Sequence, residues 1–127
     1  MKERNTKQKQ IILDILENNR IHPTINEIYN MAKTKYPTIG QATVYRNVNH
    51  LVEEGKLIKI PNNTNNLDHY DINTSIHSHL ICRKCGRIID VFDNDYTKLF
   101  NSFETNKSIK IDKVMIILEG ICSNCNK

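Results

Sequence analysis

The stretch QATVYRNVNHLVEEGKLIKIPNNTNNLDHYDI, residues 41–72, decides the fold of the first half of the chain. At 100° per residue, Val44, Val48 and Leu51 fall on one face, while Ala42, Arg46, Asn49 and His50 fall on the other. Thr43 lies at the edge between the two faces, and Tyr45 flanks the polar one. This pattern predicts a helix over 41–54 that stops at Gly55, a residue suited to the left-handed turn that ends helices. Leu57–Ile60 then reads as a strand, 61–66 as an Asn-rich turn, and Leu67–Ile72 as the returning strand.

Upstream, Ile11, Ile12, Ile15 and Leu16 form a helical stripe within residues 6–18. Arg20-Ile21-His22-Pro23 interrupts it. Thr24-Ile25-Asn26-Glu27 is a capping box that opens a second helix with Ile28, Met31 and Ala32 facing inward. Tyr36-Pro37-Thr38-Ile39-Gly40 is a turn. Three helices followed by a hairpin make a winged helix-turn-helix, whose last helix enters the major groove of DNA. The expected DNA contacts are Ala42, Thr43, Tyr45, Arg46 and Asn49. Charge agrees with this reading. Residues 1–60 hold 10 Lys/Arg against 6 Asp/Glu, whereas residues 61–127 hold 8 of each, so the whole excess of +4 lies in the first half. Lys2, Arg4, Lys7, Lys9, Lys33 and Lys35 are candidates for phosphate attraction.

The composition changes after residue 72. Residues 79–92 suggest a hairpin around Cys82-Arg83-Lys84-Cys85-Gly86. Residues 95–105 carry Tyr96, Leu99, Phe100 and Phe103 at helical spacing, and 109–121 are apolar and β-rich. The whole is α+β: a winged-helix domain over 1–70, a hinge over 71–76, and a small α/β dimerisation domain over 77–127. Its apolar strand invites pairing across a homodimer.

All four cysteines stand in two CxxC pairs, Cys82/Cys85 and Cys122/Cys125. Four thiolates at tetrahedral corners suit a closed, structural Zn²⁺ site. A thioredoxin-like CxxC usually begins a helix beside a βαβ pattern, and neither pair does. A thiol oxidoreductase and a passive zinc-ribbon scaffold are the rival readings. Asp71, His77, His79 and Asp90 form a second donor set of nitrogen and oxygen atoms, which suits Fe²⁺, Mn²⁺ or Zn²⁺. His77 and His79 are two apart and so share one side of a strand. Spacing alone leaves open a solvated histidine pair beside the zinc knuckle. No serine–histidine–acid set, phosphate loop or catalytic carboxylate pair points to a conventional enzyme. No apolar run approaches the roughly 20 residues of a membrane span, and MKERNTKQKQ has no apolar stretch behind it to make a secretory signal. A cytoplasmic protein is expected.

TVYRNVNHLVEEG, HSHLICRKCGRIIDV and ICSNC together resemble the ferric uptake regulator (Fur) family of metal-dependent bacterial repressors, over roughly residues 4–126. The segment HxHxxCxxCG followed by an acid carries most of that resemblance. It implies a homodimer on a palindromic operator, a structural zinc on the four cysteines, and a regulatory Fe²⁺ or Mn²⁺ held by His22, Asp71, His77, His79 and Asp90. Aspartate at both acidic positions is similar to the family's peroxide-sensing branch, in which iron-bound peroxide chemistry oxidises a ligand histidine. His22 and His77 are the corresponding residues here. TVYRN, with Arg46, is instead the form seen in iron-uptake regulators. The family's extra N-terminal helix has almost no room before Thr6. At position 69 an arginine is common. His69 is expected to be a solvated residue or an accessory ligand beside Asp71.

Overall fold

The computed structural model describes residues 2–18, 22–92, 96, 98, 101–103, 108–111 and 114–127. It divides into two compact units, Met1–Thr74 and Ser75–Lys127.

The first unit contains α1 (Lys2–Asn18), α2 (Ile25–Lys35), α3 (Gln41–Glu53) and a two-stranded hairpin, β1 (Ile58–Asn62) with β2 (Leu67–Asp71). The stripes foreseen in the sequence meet in one core: Ile12, Ile15 and Leu16 of α1, Ile28 and Ala32 of α2, and Val44, Val48 and Leu51 of α3. Leu57 and Tyr70 close it from the hairpin side. The capping box is formed. Thr24 Oγ1 accepts from Glu27 N at 3.3 Å, and Glu27 Oε1 accepts from Thr24 N at 3.1 Å. Gly55, at φ 76, ends α3. Its N–H bonds the Val52 carbonyl at 3.1 Å and Lys56 N–H bonds that of Leu51 at 2.9 Å, the two bonds of a Schellman turn.

Asn47 is a departure from simple patterning. It is a polar residue on the buried face of α3, fully enclosed, and its Nδ2 donates to Thr43 O at 2.8 Å and to Gln8 Oε1 at 3.2 Å. It ties α3 to α1 by a hydrogen bond where an aliphatic residue would only pack.

The second unit is a three-stranded sheet in the order β4-β3-β5, with β3 (Ser78–Cys82), β4 (Ile88–Val91) and β5 (Ile116–Gly120). β3 and β4 are the expected hairpin, antiparallel, with His79 opposite Asp90. β5 runs parallel to β3, from Ser78↔Ile116 to Cys82↔Gly120. Among the described residues the apolar stretch 109–121 is thus a strand only over Ile116–Gly120, since β3 offers five residues to pair with and β5 matches all five. Residues 109–111, 114 and 115 are not in a strand. The helix expected over 95–105 falls largely outside the described residues, among which Lys98 and 101–103 are helical and Tyr96 is not. Tyr96 and Ser78 share a hydroxyl–hydroxyl hydrogen bond of 2.7 Å. Among the described residues no helix is long and apolar enough to cross a membrane.

Candidate metal centres and nucleic-acid face

The four cysteines converge in the second unit. β3 ends on Cys82, and the knuckle turns through Gly86 at φ 77, whose N–H bonds the Cys82 carbonyl at 2.9 Å. The segment after β5 carries Cys122 and Cys125, and the parallel pairing brings it alongside the knuckle, with Arg83 N bonded to Gly120 O at 2.8 Å. All four sulfurs lie within 4.8 Å of one another, and none is in a disulfide. The Cys85–Cys122 sulfur separation is 3.8 Å. A tetrahedron with Zn–S bonds of about 2.3 Å has edges of about 3.8 Å, so the spacing fits zinc.

The electrostatics agree. Backbone N–H groups of Cys122, then of Cys85 and Lys84, draw the Cys82 thiol down to about 6. Cys122 is also lowered, chiefly by the Cys125 N–H. Cys125 is pushed up to about 12, first by the neighbouring Cys122 sulfur and then by burial. Some sulfurs ionise readily, but four cannot do so side by side without a cation. Such a set suits a divalent ion that binds thiolates.

The nitrogen and oxygen donors occur in two groups, one in each unit. In the first unit His22 Nε2 lies 3.3 Å from Asp71 Oδ2, with His22 at 8% and Asp71 at 6% exposure. Asp71 uses its other oxygen to accept from Asn73 N at 2.9 Å, which orients the carboxylate. In the second unit Asp90 Oδ1 lies 3.1 Å from His77 Nε2 and 3.4 Å from His79 Nε2. His77 donates from Nδ1 to the Ser75 carbonyl at 2.7 Å, so in its neutral form Nε2 carries the lone pair that a metal needs. Its ring stacks on Phe92 with centroids 4.7 Å apart. The solvated histidine pair that spacing alone left open is not what forms. His77 is 5% and His79 1% exposed. Each group, buried except for the half-buried Asp90, offers imidazole and carboxylate donors that suit a borderline divalent ion such as Fe²⁺ or Mn²⁺.

His69 is neither solvated nor a ligand in waiting. It is 9% exposed, and both of its ring nitrogens are engaged within the first unit. Sequence reasoning missed this because the partner, the carbonyl of His22, is 47 residues away.

On α3, Ala42, Arg46 and Asn49 are exposed, and Thr43 is half-buried. Tyr45 is half-buried against the core. Its hydroxyl donates to Asn26 Oδ1 and accepts from Gln41 Nε2, which fixes it between α2 and the start of α3. Of the basic candidates, Lys7, Lys33 and Lys35 are exposed, whereas Lys9 is paired with Glu54 at 2.6 Å.

A three-helix unit with a hairpin, followed by a small sheet with a four-cysteine cluster and a histidine–aspartate cluster, defines a metal-responsive regulator class. The profile of the ferric uptake regulator family matches residues 1–119, and the chain belongs to that family. It is 32% identical over 124 residues to the peroxide operon regulator of Bacillus subtilis, covering 98% of this chain and 85% of that protein. It is 29% identical to the peroxide-responsive repressor PerR of Staphylococcus epidermidis, covering 98% and 82%. Among solved structures, the Campylobacter jejuni peroxide stress regulator superposes with a TM-score of 0.83 at 33% identity, covering 96% of this chain and 91% of that one. The Helicobacter pylori ferric uptake regulator shares the fold, with a TM-score of 0.77 at 23% identity over 95% and 81%.

Proposed function

We propose that this chain is a metal-dependent transcriptional repressor that binds a palindromic operator as a homodimer and releases it when peroxide oxidises its regulatory site. In this reading residues 1–70 bind DNA, 71–76 form the hinge and 77–127 dimerise. The four cysteines hold a structural zinc. His22, Asp71, His77, His79 and Asp90 hold one Fe²⁺ or Mn²⁺ with ligands from both units. The observation that carries the reading is the two donor groups, His22 with Asp71 in the first unit and His77 and His79 with Asp90 in the second, kept apart in chemistry from the thiolates.

Fe²⁺ held by these residues would supply the redox chemistry by which peroxide oxidises a ligand ring. The protein's part is positional. Ser75 O holds the His77 ring by Nδ1, and Phe92 covers one of its faces. His22 is turned towards Asp71. These two rings are the proposed oxidation targets. Loss of either weakens the hold on the ion and lowers the population competent for DNA. On DNA, two α3 helices must reach major grooves about 34 Å apart. Ala42, Thr43, Arg46 and Asn49 would meet bases or phosphates. Tyr45, pinned by Asn26, would present its ring edge.

Arg46 favours a second reading, an iron-uptake repressor without peroxide chemistry. It is exposed on α3 and able to make two hydrogen bonds to guanine. One experiment separates the two. The protein is loaded with Fe²⁺ or Mn²⁺ without oxygen, given a small amount of peroxide, and split between peptide mass measurement and an operator-binding assay. A one-oxygen gain on the His22 or His77 peptide with iron but not manganese, together with loss of DNA binding, is expected. Metal-dependent binding that survives peroxide with unoxidised histidines establishes the second reading instead.

A further inference from the structure

One buried imidazole is used by neither metal set. His69 lies on β2, and its Nδ1 faces the carbonyl of His22 at 2.7 Å. A carbonyl only accepts, so Nδ1 carries the proton. Nε2 of the neutral ring then accepts, and the amide of Asn65 at 2.9 Å and that of Asn62 at 3.4 Å donate to it. The ring is thus held at both nitrogens, and its use as a metal ligand would break the bonds from the asparagines.

The residue that His69 grips is unusual. His22 has φ 56, in the left-handed region that side-chain-bearing residues disfavour. Just beyond it the backbone is clamped to β2, by a bridge between Thr24 and His69 and by Tyr70 N donating to Pro23 O at 3.0 Å. At His22 itself the backbone carbonyl accepts from the His69 side chain. From that turn the His22 ring reaches Asp71, 3.3 Å away.

We infer that His69 is a positioning residue for the regulatory site: its Nδ1–H keeps the His22 backbone in the turn that aims Nε2 beside Asp71, and so sets the affinity for the divalent ion. This rests on the reading that His22 is a ligand. The bond acts on the ligand's backbone and not on its ring, so the effect belongs at the low end of the range for outer-shell partners of metal ligands.

The test compares side chains that each replace one ring nitrogen. Asparagine places an amide nitrogen near the position of Nδ1, and glutamine places one near Nε2. Zinc-loaded full-length His69→Asn, His69→Gln and His79→Ala are titrated with Mn²⁺, with free Mn²⁺ read by electron paramagnetic resonance. Zinc content and thermal melting are measured on the same samples. His69→Gln is expected to bind Mn²⁺ about 10-fold more weakly, and His69→Asn to stay within about 3-fold of wild type. If His69→Gln does not melt cooperatively, Asn65→Ala at the exposed turn takes its place, with an expected loss of about 3-fold. Unchanged affinity in the glutamine variant, or in Asn65→Ala where it substitutes, overturns the inference. Equal weakening by asparagine and glutamine also overturns it, since the Nδ1 position would then not matter. His79→Ala separates the two levels of the argument. Normal Mn²⁺ binding there sinks the site and this inference with it. Weakened binding there, beside a normal His69→Gln, sinks the inference alone.

Discussion

Removing the zinc should unfold the second unit and leave the first intact. The magnitudes follow from what each unit buries. Among the described residues, the aliphatic side chains buried in the second unit are Ile81 and Ile88, at 3% and 8% exposure. At about 1.5–3 kcal/mol each, they contribute about 3–6 kcal/mol together. A structural zinc on cysteine ligands contributes about 10–16 kcal/mol near neutral pH, so the ion outweighs them. In the first unit Ile12, Ile15, Leu16, Ile28, Val44, Val48, Leu51, Leu57 and Ile60 are all at 2% exposure or less, about 14–27 kcal/mol on the same scale. The first unit therefore has a core of its own, and the second depends on its metal. Cys85→Ser with Cys122→Ser, purified under reducing conditions, removes two of the four ligands. Hydrogen exchange followed by mass spectrometry would show amides of β3, β4 and β5 exchanging at unfolded-chain rates, while α3 keeps its slow exchange. Persistent protection of β3 and β5 in protein shown by elemental analysis to lack zinc would refute the reasoning.

Thr24→Ala removes the capping acceptor for Glu27 N, and should lower stability by about 1 kcal/mol and the melting temperature by several degrees. Thr24→Ser should restore it; a melting curve checks both. Tyr70 has its phenol raised above the ordinary 10.0, first by burial, then by the charge of Asp68 and of Tyr45. The fold favours the neutral phenol, so its contribution is full below pH 10.0 and is lost as pH rises through the folded-state value. Urea midpoints should therefore fall less for Tyr70→Phe than for wild type as pH rises from about 9 to about 11.

Much of the architecture is set by short-range pattern. The 3.6-residue period of Ile12, Ile15 and Leu16, the Thr24–Glu27 box and the Gly55 stop each need only a few neighbouring residues to act, and each was legible before any tertiary contact was known. The CxxC spacing likewise limits what the cysteines can do, because two thiols separated by a knuckle are already half of a tetrahedron. His77 and His79 were legible as a same-side pair from the two-residue strand period alone.

Tertiary structure decided what depends on register and on contacts between distant segments. The parallel pairing of β5 with β3 brings Cys122 and Cys125 to the knuckle, and no local signal specifies that direction. Asp90 stands opposite His79 because of the rung on which the hairpin closes, and a slip of one residue would turn it to the other face. Asn47 lies in a core position with its Nδ2 donating to Gln8 and the Thr43 carbonyl, partners that polarity alone does not foretell. His69 is the clearest case. From the sequence it read as a solvated residue or an accessory ligand beside Asp71; in the fold it grips the backbone of His22. A side chain's local period says which way it points. What it meets there is settled only when the rest of the chain has packed around it.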